Sequence, residues 1–190
     1  MTVGTNTPTV RRKTRWPRLL AVAAIVLAAL GALLVAPLEL GPSHIVTAID
    51  IARPGALVFA YVTTPGHWPE WHPSSLAVYG SVGHPLLVGE SVREDFLVAG
   101  RRGRVTWRVS TCEPGRTWRI AGEIDGRPAG IVTYRLTPQA AGTHFVREFD
   151  YESPNLLFGM LNVLTLRSRI EAESQQAVAR LKARLESASS

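Results

Sequence analysis

From Leu19 to Leu38 the chain reads LLAVAAIVLAALGALLVAPL, with no charge until Glu39. A run this apolar on every face has no polar side to turn to water, so it is not the half-buried helix of an ordinary soluble core. At ~1.5 Å per residue it just matches a hydrocarbon core of roughly 30 Å. Arg11, Arg12, Lys13, Arg15 and Arg18 precede it with no acid among them. That asymmetry predicts a basic cytoplasmic segment over 1–18, a single transmembrane anchor over 19–38, and a domain on the extracytoplasmic side. Trp16 stands where an interfacial aromatic belongs. A cleaved signal peptide is the competing reading. It would place Leu34 and Ala36 at the cleavage positions and Pro37 after the cut, and both Leu34 and Pro37 oppose cleavage.

The net charge of +6 among 190 residues invites a nucleic-acid reading. The charge is concentrated before the apolar run, however. Downstream of Gly41 there are 16 basic and 14 acidic residues, a net of +2, so nucleic acid is not an expected partner. Cys112 is the only cysteine and has no partner for a disulfide or a metal knuckle, so it reads as a small hydrophobe in a strand.

The remainder, 43–187, has room for one core. A strand is expected over His44–Ile51, where Ile45, Thr47, Ile49 and Ile51 alternate. Pro54 opens a short helix through Tyr61, and His67–Pro73 makes a further helical turn. Period-two runs follow at 76–79, 91–98, 103–112, 117–123, 129–136 and 144–151. Turns at Ala99-Gly100, Glu113-Pro114-Gly115, Asp125-Gly126 and Ala141-Gly142 keep the connections short and predict an antiparallel meander. From Asn155 to about Glu186 the apolar residues, Leu157, Leu161 and Leu164 among them, recur at mostly helical spacing. Such a helix must lay its stripe on the sheet.

This order of elements resembles the helix-grip fold of the START-like (SRPBCC) superfamily. That group includes polyketide cyclase/dehydrase-like proteins, lipid-transfer START domains and the birch-pollen-allergen family. The matching stretches are Ile51-Ala52-Arg53-Pro54-Gly55-Ala56-Leu57-Val58-Phe59-Ala60-Tyr61-Val62, Trp68-Pro69-Glu70-Trp71-His72-Pro73, Val88-Gly89-Glu90 and the end at Arg180-Leu181-Lys182-Ala183-Arg184-Leu185. The resemblance implies an α+β domain: a curved antiparallel sheet around a long C-terminal helix, with a cavity between them for an apolar or amphipathic small molecule.

Alternation along the strands suggests which residues would face such a cavity. Phe96, Trp107, Trp118, Tyr134, Phe145 and Phe149 form an aromatic wall, which is equally what an ordinary core looks like. Two charges break the pattern. Glu94 shares a face with Val92, Phe96 and Val98, and Arg147 shares one with Phe145, Phe149 and Tyr151. A charge on an apolar face is costly unless it is wet or paired, so each is either a contact for a polar ligand group, a snorkelling side chain, or half of a mutual pair. Leu157 and Leu161, at the start of the terminal helix, complete the expected ligand-binding set. That first half is expected to lie deepest over the cavity, with Gly159 as the soft point of a lid.

No catalytic series is identifiable. His67, Glu70 and His72 lack the spacing of a zinc site, and the histidines read as a polar rim. No glycine-rich nucleotide loop occurs, Gly100-Arg101-Arg102-Gly103-Arg104 reads as a solvated hairpin, and neither metal nor cofactor is expected. The favoured function is a membrane-anchored binding protein for a hydrophobic small molecule or lipid. The alternatives are a cyclase- or dehydratase-like enzyme, with Glu94, Arg147 and Tyr134 as its only candidate groups, and a structural module with a filled core.

Overall fold

The computed structural model describes residues 16–37 and 41–187. The chain divides after Ala36 into two compact units. In the first, α1 (Trp16–Val35) carries exposed apolar side chains on all sides, Leu20, Ile25, Leu27 and Leu33 among them. The helix ends at Val35, short of the expected Leu38. Its apolar part, Leu19 to Val35, reaches about 25 Å, less than a hydrocarbon core. Among the described residues, no helix is long and apolar enough to cross a membrane. The arginines of 11–15 and residues 38–40 lie outside the described residues.

The second unit begins with β1 (Pro42–Ile51), followed by α2 (Gly55–Thr63), a 3-10 turn (Pro65–His67) and α3 (Trp68–Trp71). Six strands follow: β2 (Ser75–Gly80), β3 (Ser91–Val98), β4 (Arg101–Glu113), β5 (Thr117–Ile124), β6 (Arg127–Gln139) and β7 (Gly142–Glu152). All pair antiparallel in the order β1-β7-β6-β5-β4-β3-β2, so each strand from β2 onward lies beside its sequence neighbour, and β1 closes against β7. The two-residue turns behave as their sequences require: Ala99 and Gly100, and Asp125 and Gly126, all have positive φ, the mirror-image turn geometry that matches strand twist.

The C-terminal segment departs from one continuous helix. α4 (Leu156–Leu161) passes into a π-helical turn (Asn162–Leu166) and then α5 (Arg167–Ser187). The interruption has a polar cause. Asn162 is buried, accepts from Tyr151 O–H at 2.6 Å through Oδ1, and donates from Nδ2 to Ser43 Oγ at 2.8 Å. These bonds tie the turn to β7 and β1, and the widened coil satisfies them at the cost of helical phase.

The expected depth along this segment is therefore reversed. α4 has no buried residue, whereas α5 buries Ile170, Ser174, Ala177, Val178, Leu181 and Leu185, one helical stripe. The stripe's C-terminal half joins Val58, Trp71, Trp118 and Phe145 in the main core. Arg53 locks the end, its guanidinium donating to the carbonyls of Leu185 at 2.7 Å and Glu186 at 2.9 Å, which suits a cation at a helix C-terminus.

Candidate functional site

A cavity of about 530 Å³ opens in the second unit where α5 and the π-helical turn stand away from the concave sheet. Apolar walls come from Phe96, Trp107, Ile120, Val132, Phe149 and Ile170. Two of these aromatic rings pack closely over glycines of the neighbouring strand. Phe96 pairs with Gly103 and Trp107 with Gly122; a Cβ on those glycines would come within 2.4 Å and 2.6 Å of the rings. The absent side chains are what let the aromatics lie against the sheet.

Polar and charged groups share the lining, Glu94, Arg147, Arg101 and Arg102 among them. Glu94 is only 9% exposed and accepts a hydrogen bond from Trp107 Nε1–H at 2.6 Å. Burial pushes its carboxyl pKa up, favouring the neutral acid. Arg147 is 6% exposed, donates from Nη1 to Ser174 Oγ at 3.1 Å and sits 5.4 Å above the Phe149 ring. Arg147 and Glu94 are not within the 4.0 Å of an ion pair, so the mutual pairing considered from the sequence does not form. Burial raises the Tyr134 hydroxyl pKa to about 12, so it stays a phenol.

Of the ten residues expected at a ligand, Glu94, Phe96, Trp107, Tyr134, Arg147 and Phe149 line the cavity. Trp118 and Phe145 are fully buried behind it, Trp118 stacked on Tyr134 at 5.4 Å and Phe145 tilted against it at 5.3 Å. They support the wall. Leu157 and Leu161 are exposed, and their neighbours Phe158 and Leu166 line the cavity instead.

The cavity also takes residues that sequence reasoning passed over: Trp68, Trp71, His72, Ser74 and Ser174. His72 is not a polar rim: its Nε2 is closed off from solvent, and desolvation together with the charges of Arg147 and Arg180 lowers its pKa well below the ordinary 6.5. Trp68 and Trp71, at i and i+3, share one face of α3, and His72 follows in extended backbone just past its end. His67 and Glu70 lie elsewhere, Glu70 accepting from Tyr61 O–H and from Arg184. Among the described residues no group of three His, Cys, Asp or Glu could hold a metal ion.

Residues 42–186 match the family described as polyketide cyclase / dehydrase and lipid transport. The chain belongs to this family. Solved structures agree on the fold. The Zhui aromatase/cyclase from Streptomyces sp. R1128 superposes with a TM-score of 0.61 at 17% identity, over 77% of this chain and 94% of that one. TTHA0849 from Thermus thermophilus gives 0.62 at 16% identity, over 78% and 100%. Ms6760 from Mycobacterium smegmatis gives 0.57 at 14%, over 80% and 99%. Among curated proteins, no sequence matches the chain.

Proposed function

We propose that this family member binds a hydrophobic or amphipathic small molecule in the cavity between its sheet and C-terminal helix. The observation that carries the reading is the 530 Å³ space itself, walled largely by apolar side chains with fewer polar groups among them, the usual composition of a small-molecule site. A filled structural core would leave no such volume. Native mass spectrometry of the full chain released from nanodiscs tests it. A retained small molecule, or uptake of the apolar probe 1-N-phenylnaphthylamine, is the expected result; neither retained ligand nor probe uptake overturns the proposal.

An enzymatic reading has a specific observation of its own: a carboxyl held toward its neutral form, an imidazole held neutral and a phenol line the same space, the types of group that move protons. Its structural likeness to an aromatase/cyclase is a likeness of fold.

The binding proposal includes tethering at a membrane by the whole uncharged run from Leu19 to Leu38, which continues three residues past the end of α1, with the N-terminus cytoplasmic and the domain outside. Support comes from the all-round apolar surface of α1 and the arginines before it. An alkaline carbonate wash should leave the full chain with the membrane pellet, and release into the supernatant contradicts the tether.

A further inference from the structure

We propose that the cavity selects an apolar ligand bearing a carboxylate, seated on Arg147 with His72 and Trp71 as neighbouring donors. The inference rests on the binding function proposed above and adds the chemistry of the ligand's polar end.

Among the described residues, three hydrogen-bond donors on the cavity wall have no partner. Arg147 uses Nη1 on Ser174, but its Nε–H is buried and unmatched. Trp71 is fully buried, and its Nε1–H is likewise unmatched. His72 accepts from the Ser74 backbone N–H at Nδ1, 3.3 Å, so a neutral ring carries its proton on Nε2, the atom left without a partner. A buried donor without an acceptor costs about 1–3 kcal/mol, and more when charged. A set of three on one cavity calls for an acceptor-rich group.

The protein's own carboxylates do not fill that role. Glu173 is taken by Ser74 O–H at 2.7 Å and the Ala99 N–H at 3.0 Å. Glu94 takes the Trp107 N–H, stands beyond ion-pair distance of Arg147, and is pushed by burial toward its neutral form. The Arg147 guanidinium stays charged. Among the described residues, its charge therefore has no counter-ion within ion-pair distance.

The planar guanidinium fork fits the two oxygens of a carboxylate. A single buried cation suits one negative charge better than the two of a phosphate monoester. The same cavity is lined by Phe96, Ile120, Val132, Phe149 and Ile170, which take an apolar body.

The test is a head-group series at fixed chain length: dodecanoate, 1-dodecanol and methyl dodecanoate, titrated at pH 8 against the full chain in nanodiscs by tryptophan fluorescence, with empty nanodiscs subtracted. The acid should bind about tenfold or more tightly than the alcohol or ester, the size of a charge-assisted hydrogen bond. Arg147→Gln should erase that preference, bringing the acid's affinity down to the level of the alcohol and ester. The wild-type series is decisive even where the variant folds poorly. Equal affinity for acid, alcohol and ester overturns the carboxylate inference while leaving the cavity as a binding site; no binding of any of them overturns both.

Discussion

At the scale of single residues, the sequence marked Glu94 and Arg147 because each interrupts an apolar strand face, and strand alternation is strict enough for that signal to survive folding. His72 was harder to see because its burial depends on where a short helix packs. Glu94 makes a pH-dependent prediction. Below the ordinary value of 4.5 both folded and unfolded chains carry the proton; as pH rises through it the unfolded chain releases its proton first, so the folded state loses stability until its own raised value is passed. Glu94→Gln removes that loss. The variant should gain on wild type between acid and neutral pH, by about 1.4 kcal/mol for each unit separating the two values, read from urea unfolding across pH. A stability difference that does not change with pH contradicts the buried acid. Gly122→Ala tests the close seat of Trp107 over Gly122. The new Cβ, 2.6 Å from the ring, should displace it, break the bond to Glu94 and destabilise the domain by about 1–3 kcal/mol. An unchanged indole N–H resonance in the variant would count against this.

At the scale of elements, the sheet was legible because each strand alternates and each turn carries its own chemistry: all six later strands fall where period-two runs were expected. The C-terminal segment was legible only in its second half. Leu157, Leu161 and Leu164 keep helical spacing among themselves, but at about 100° per residue they fall well away from the face of Ile170 and the rest of the buried stripe, and all three are exposed. Asn162→Leu keeps the apolar pattern and removes both side-chain bonds. We expect a loss of about 1–3 kcal/mol, because the Tyr151 hydroxyl is left buried without its acceptor. The lid proposal moves with the corrected packing. With Phe158 on the cavity and no residue of α4 buried, 155–166 is the segment best placed to open. Gly159→Ala should slow ligand exchange and raise amide protection there, given alanine's roughly 1 kcal/mol advantage in a helix. Protection in the wild-type protein already equal to that of β5 and β6 contradicts a lid.

For the whole molecule, a family fold surrounds a cavity with an uneven lining. The fold followed from element order, because one amphipathic helix and one antiparallel meander leave few ways to bury their apolar faces together. The cavity's existence did not follow from the same pattern. An aromatic wall reads alike whether a helix fills the space before it or stands off, and the glycines beneath Phe96 and Trp107 gain their meaning only once strand register sets them opposite those rings. The central claim is that a ligand occupies this space. Intermolecular NOEs from ¹³C-labelled dodecanoate to the methyl groups of the full chain in nanodiscs test it most directly. The expected result is contact with Ile120, Val132 and Ile170 methyls, inside the cavity, and none with the outward-facing Leu157, Leu161 and Leu164. Contacts confined to those outer leucines or to α1, with the cavity methyls silent, would contradict it.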